Sequence, residues 1–295
     1  MRLRVLITGA NGHIGRRLIP RLEAQYDLRA VVRPARVSQM RDEFSVETRG
    51  VDCRDGEALF EALDGCSHVV HLVGIIKEGS TSTYADAHEK TSVALSEAAA
   101  RRGIQRIVYL SILGASASVS NACLASKGRA ESTLLQGATP ALVLRVPMVL
   151  GEDDHATHAL ARRARVPVSF TFRAECREQP IFSDDLLDAI DAGLRAPGLD
   201  NVVLDLAGPE SLTRRALVQR AAAVVGRRTR VVSVPFVFGR AIARTMGWLR
   251  KDPAVTSAML GVLDHDDDVD QSVATKRLGI ELTPLDKTLA RLLGD

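Results

Sequence analysis

What the 295-residue chain lacks narrows the field first. No run approaches the roughly 18 apolar residues that a membrane-crossing helix needs. The N-terminus passes from MRLR into an apolar strand without a cleavable apolar region, so a cytoplasmic protein is expected. The four cysteines (Cys53, Cys66, Cys123, Cys176) stand far apart, without the close pairs of a zinc site or redox dithiol, so free thiols and no metal are expected. No basic stripe with interleaved aromatics accompanies the formal charge of +3, which excludes nucleic acid as the expected partner. The pairs Arg16-Arg17, Arg101-Arg102, Arg162-Arg163 and Arg227-Arg228 fall near expected helix ends, where cations are favourable or simply solvated. At 46% hydrophobic and 25% charged, the composition is globular rather than disordered, and the length suits one large domain or one large and one small.

What is present begins at residues 5–15, VLITGANGHIG. Val5, Leu6 and Ile7 read as a buried strand. Gly9, Gly12 and Gly15 punctuate a turn that also holds Asn11, His13 and Ile14, and Ile14, Leu18 and Leu22 line a helix face after it. This order suits a dinucleotide. Gly9 turns the chain off the strand, Gly12 lets the backbone approach a pyrophosphate, and Gly15 lets the helix pack on the sheet, its free N–H groups favouring an anion. An ordinary strand-to-helix turn is the alternative.

Residues 28–33 (LRAVVR) read as a second strand. Where an acid would accept the ribose hydroxyls of NAD, this chain has Arg33, with Arg36 close behind; a guanidinium pairs with a 2′-phosphate, so NADP(H) is favoured over NAD(H). The third strand, 46–51, ends at Asp52, a candidate acceptor for the adenine amine or a plain loop acid, and Asp55 is a candidate helix N-cap. Residues 67–73 form a central strand with Val73 and Gly74 at the cofactor end, and its His68 and His71 read as core or strand-end histidines. A helix over 84–102 carries an apolar stripe at Ala87, Thr91, Ala94, Leu95 and Ala98. After it come a strand over 104–110 followed by Ser111, a helix with Ser126 and Lys127, and a strand over 141–146. Strands alternating with helices of this length predict an α/β fold with a doubly wound, parallel, Rossmann-like sheet.

The pieces TGANGHIG, VVR, VVHLVG, IVYLSILGA, SKGRAE, LRVPMVLG and REQPIFSDDLLDAI, with LDLAGPESLTRRALV and KRLGIELTPLDKTL after them, resemble the short-chain dehydrogenase/reductase superfamily in its extended and atypical, epimerase/dehydratase-like branches. Within it they are similar to the group containing the NADPH-binding accessory subunit of mitochondrial complex I and its bacterial relatives. The resemblance implies a cofactor domain over 1–150, completed by 181–207, and a smaller C-terminal α/β substrate- or partner-binding domain over 151–295 with interleaved segments. A larger protein assembly is a further implied partner.

Active members of the superfamily use Ser, Tyr and Lys: Lys lowers the Tyr pKa and holds the nicotinamide ribose, Tyr moves the proton, and Ser steadies the substrate oxygen. Ser111 and Lys127 occupy the first and last positions, but the tyrosine position holds Cys123. Lys127, one helical turn away, can pull a thiol below its reference pKa of about 8.5. Yet the sulfur stays near the backbone where a phenol would reach into the cleft. Three readings stay open: a small buried residue in a site that binds cofactor without turnover, an exposed redox-sensitive thiol, or retained chemistry in which Tyr84, Tyr109 or a substrate group supplies the proton. Of these, Tyr109 is expected to pack in its strand.

Beyond Gly151 the pattern predicts a helix over 153–165, a strand over 168–172, a helix from Ser183 or Asp184, a strand over 202–206, a helix over 214–225 capped by Thr213 and ended by Gly226, and a strand over 230–234. A further helix carrying Phe236, Phe238, Ile242, Met246, Trp248 and Leu249 beside Arg240, Arg244, Arg250 and Lys251 reads as lid core, or as a surface for a partner or a membrane. The acidic run 265–268 lacks the glycine and terminal glutamate of a calcium loop and reads as solvated.

Overall fold

In a computed structural model of the chain, residues 2–79, 82–235, 261 and 265–294 are described. Two compact units form, Met1–Arg145 with Leu187–Leu204, and Val146–Leu186 with Asp205–Asp295. In chain order the elements begin β1 (Arg4–Thr8), α1 (His13–Leu22), β2 (Asp27–Val32), α2 (Val37–Glu43), β3 (Glu47–Gly50), α3 (Gly56–Ala62), β4 (His68–His71), α4 (Thr91–Arg102), β5 (Arg106–Ile112), α5 (Ala122–Gln136) and β6 (Ala141–Val146). They continue with β7 (Val149–Leu150), α6 (His155–Arg165), β8 (Val168–Phe172), β9 (Arg177–Glu178), β10 (Ile181–Phe182), α7 (Ser183–Arg195), β11 (Val202–Asp205), β12 (Leu212–Thr213), α8 (Arg214–Val224), β13 (Arg230–Val234), α9 (Ser272–Leu278) and α10 (Leu285–Leu293).

The first unit is built on a seven-stranded sheet in the order β11-β6-β5-β4-β1-β2-β3. Its central pairs, β1 with β2 and β4, β2 with β3, and β4 with β5, are all parallel. Val5, Leu6 and Ile7 are fully buried, as an unbroken apolar run in a sheet covered on both faces requires. From β1 the chain winds one way through β2 and β3 and the other way through β4, β5 and β6, so the strand order reverses between β1 and β4. A crevice beyond the strand ends at such a reversal is where open α/β sheets bind ligands.

Two boundaries differ from the sequence reading in ways that bear on function. Gly103, left-handed at φ 66°, closes α4 and lets the Ile104 amide donate back to Ala99 O (3.0 Å), so β5 begins two residues late and Ser111 lies inside the strand rather than after it. The helix expected over 84–102 opens instead with a wide π-helical segment, Ala85–Lys90, before α4. The wider turn carries His88 inside, where both ring nitrogens find partners.

In the second unit Leu150, Leu160, Leu217, Ala221, Leu285 and Leu289 share one core. Thr213 caps α8 by accepting from the Ala216 amide (3.1 Å), and Gly226 is left-handed after it. The acidic run serves as a strap: the Arg177 amide donates to Asp266 Oδ1 (2.8 Å) and Ser211 Oγ to the Asp267 carbonyl (2.6 Å). No cluster suited to a metal occurs among the described residues. The helix expected around Phe236 to Leu249 lies outside them. Among those described, no helix is long and apolar enough to cross a membrane.

Candidate functional site

The glycine turn sits at the reversal. Gly9 follows β1 at φ 67°, and a Cβ there would stand 3.0 Å from Leu72 C and Val73 N, the backbone leaving β4. A Cβ on Gly15 would lie 2.6 Å from Ala10 O, so only glycine lets α1 start so close to the turn. Gly12 is exposed at the N-cap of α1, with no side chain capping the helix and no acid in its first turn. Asn11, His13 and Ile14 are half-buried around it. An uncapped helix N-terminus with a bare backbone approach fits a pyrophosphate.

At the end of β2, Arg33 and Arg36 are exposed, Arg36 reaching Gln39 Oε1 (3.1 Å). Asp52, beyond β3, is exposed and held by Arg54 through its amide (3.0 Å) and guanidinium (2.6 Å), which keeps the carboxyl below its usual range. Asp55 caps α3 as the sequence suggests. Val73 is half-buried, and the space left by Gly74 is taken up on this side by Lys127, whose Nζ would be 3.1 Å from an added Cβ, and by His88.

Helix α5 brings Cys123, Ser126 and Lys127 to the same crevice. Asn121 starts it, accepting from the Cys123 and Leu124 amides (3.0 and 3.1 Å). Lys127 is buried; its Nζ donates to Leu110 O (2.9 Å) and lies 4.4 Å from the centre of the Tyr109 ring. Burial lowers its pKa to about 8. Cys123 is only 2% exposed, its thiol directed at Ile75 O (3.8 Å).

The expectation of an acidified thiol is overturned. Burial raises the Cys123 pKa and outweighs the opposing field of Lys127. Burial also removes the exposed redox-sensor reading. Tyr84, whose hydroxyl donates to Ile76 O (2.7 Å), stacks on His88.

His88, which the sequence reading passed over, ties these parts together. The Ile75 amide donates to Nε2 (3.0 Å), so in the neutral ring the proton sits on Nδ1 and goes to Ser126 Oγ (2.7 Å), which donates in turn to the Cys123 carbonyl (2.8 Å). Desolvation, with Lys127 adding repulsion, lowers the His88 pKa to about 3. His71 is likewise pushed down to about 3, bonded through Nδ1 to Thr8 Oγ1 (2.6 Å) and stacked on Tyr109. Both strand histidines are buried, as expected. The signal for His88 was available: Tyr84, His88, Thr91 and Leu95 recur at helical spacing, so His88 had to face the core.

Ser111 departs from its expected role. Its hydroxyl donates to buried Glu131, which is itself paired with Arg145 (3.0 Å from Nε). A hydroxyl has one proton to give, and this one is committed to a carboxylate rather than to a substrate oxygen. The Ser111–Glu131–Arg145 chain joins β5, α5 and β6. Tyr109 packs fully buried in β5, as expected.

Residues 9–141 match a family model described as NAD(P)H-binding. Ceramide reductase of Caulobacter vibrioides is 29% identical over 234 residues, 78% of this chain and 73% of that protein. The mitochondrial NADH dehydrogenase (ubiquinone) 1 alpha subcomplex subunit 9 of Arabidopsis thaliana is 25% identical over 80% of this chain and 61% of its own length. Among solved structures, the Bordetella bronchiseptica enzyme WbmG in complex with NAD superposes with a TM-score of 0.74 at 18% identity, over 99% of this chain and 93% of that one.

Proposed function

We propose that the chain is an atypical, epimerase/dehydratase-like member of the NAD(P)-binding short-chain dehydrogenases/reductases, and that it holds NADP(H) in preference to NAD(H), as a structural or redox-sensing ligand rather than as the reagent of a Ser–Tyr–Lys reaction; the match of residues 9–141 to an NAD(P)H-binding family and the likeness to the Arabidopsis subunit support this. When bound, the cofactor supplies a nicotinamide able to give or take hydride. The chain supplies the rest. Backbone around Gly9, Asn11, Gly12, His13, Ile14 and Gly15 receives the pyrophosphate, Arg33 and Arg36 pair with the 2′-phosphate, and Asp52 accepts from the adenine amine. Val73 and Gly74 line the nicotinamide end, and Lys127 uses the donors left beyond Leu110 O on the ribose.

Cys123 carries the non-catalytic half of the reading. At the tyrosine position stands a short, buried thiol turned toward Ile75 O and less acidic than a free cysteine, and Ser111 gives its proton to Glu131. Neither reach nor acidity suits proton transfer to a carbonyl. The likeness to a protein named as a subunit of NADH dehydrogenase supports a place in a larger assembly, with the segment 151–295 as its substrate or partner surface.

A second reading, an active reductase or epimerase, is favoured by the Tyr84 phenol, which bonds Ile76 O next to the Ile75 carbonyl that the Cys123 thiol faces, and by likeness to a protein named as a reductase. Stopped-flow oxidation of NADPH with a panel of carbonyl substrates separates the two. The non-catalytic reading expects tight cofactor binding and no turnover, with activity gained only in Cys123→Tyr. Turnover that survives Cys123→Ala and disappears in Tyr84→Phe retires it.

A further inference from the structure

Most arginines of the described residues are spoken for: Arg4, Arg29, Arg106, Arg145, Arg214 and Arg220, among others, sit on carboxylates. In the second unit one group breaks that pattern. Arg162 and Arg165 in the last turn of α6, and Arg227, Arg228 and Arg230 around the start of β13, are exposed, and among the described residues no carboxylate pairs with their guanidinium groups. The two stretches that carry them, 155–174 and 211–235, contain no Asp or Glu. They are clasped together. Thr229 Oγ1 donates to Ala164 O and Val166 O (2.9 Å each), and the Arg230 amide donates to Pro167 O (2.9 Å).

Next to these arginines in the chain, the polarity of a strand is inverted. β8 pairs with β13 as a two-stranded parallel ribbon. Ser169 and Thr171 face inward and are buried, whereas Val168 and Phe170 face out, Phe170 with 70% of its surface exposed. Val166 is exposed just ahead of them, and Val232 and Val234 lie on the outer face beside Phe170 and Phe172 by register. Folding alone would place the apolar set inside and the hydroxyls outside. An exposed apolar patch on an element flanked by exposed arginines marks an interaction surface.

We propose that this face docks on an anionic lipid surface, with Phe170 and the valines at headgroup level and the arginines on lipid phosphates. Guanidinium groups pair with phosphate, and each basic residue held near an anionic leaflet adds to the attraction, so five exposed arginines on the two stretches that flank an exposed aromatic make a reversible peripheral anchor. The surface lies within the second unit and does not rest on the cofactor reading.

The test sediments the full chain with vesicles of phosphatidylcholine alone or mixed with phosphatidylglycerol. The chain is expected to pellet with the mixed vesicles only and to be released by salt. Arg227→Glu/Arg228→Glu/Arg230→Glu should lower the bound fraction by more than roughly tenfold, and Phe170→Ser should lower it at unchanged salt sensitivity, both keeping the wild-type melting temperature. Should charge reversal disturb folding, Arg162→Gln/Arg165→Gln serves in its place and should also weaken pelleting. Absence of pelleting, equal pelleting with neutral vesicles, indifference to these substitutions, or preferential capture by polyglutamate or DNA overturns the proposal.

Discussion

At the scale of single residues, the site is governed by what a side chain has left to give. Gly15 has no room for a methyl group: the Cβ of Gly15→Ala would sit 2.6 Å from Ala10 O, so the helix must move off the turn. We expect about 1–3 kcal/mol of destabilisation by overpacking and NADPH affinity at least about tenfold weaker, read by melting and by fluorescence titration. His71 and His88 have pKa values lowered from 6.5 to about 3 and are neutral in the fold. Between those values the unfolded chain binds more protons, so stability rises with pH through the window and is lost as pH falls through it. Urea midpoints followed downward from neutrality should show the loss, with a shallower slope in His71→Gln; a flat profile would contradict two buried neutral rings. The roles of Gly12 and Gly15 were legible in sequence because they depend on neighbours within a few residues, whereas the crowding of Gly9 by Leu72 and Val73 comes from another strand. The Cys123 environment was not, since Ile75 and Tyr84 reach it from another element, and the same holds for Ser111 and Glu131, brought together only by packing of β5 on α5.

At the scale of elements, strand and helix order was readable almost throughout, because an apolar run with glycine punctuation is a local signal. The strands at 141–146, 168–172 and 230–234 fall where the pattern puts them, as does the Thr213 cap. What pattern could not supply was that the segment holding His88 is π-helical, or the Gly103 closure that draws Ser111 into β5. Helix α5 is the element on which the site depends. Asn121→Ala removes the acceptor for two amides of its first turn, one belonging to Cys123. The expected cost is about 1 kcal/mol, a fall of roughly 2–4 °C in melting temperature for a domain of this size. Calorimetry checks it, and an unchanged transition would show that the turn is held by other contacts.

At the scale of the whole molecule, the parallel sheet and its strand reversal between β1 and β4 follow from the alternation of short apolar strands and helices, and from the right-handed crossovers that alternation imposes. The chemistry does not follow from the fold, because one architecture serves many sites. In the proposed reading the glycine turn receives the dinucleotide and the two exposed arginines its 2′-phosphate, while the buried Cys123 thiol and the Ser111–Glu131 bond stand in place of two parts of the usual reaction. A ligand that binds only the folded state stabilises it, so cofactor binding is readable in melting as well as in heat. The most direct measurement is calorimetric titration of the purified chain with NADPH and with NADH, repeated on Arg33→Ala. The account predicts tighter binding of NADPH in the native chain and loss of that preference in the variant. Absence of binding, or a preference for NADH that Arg33→Ala leaves unchanged, would contradict it.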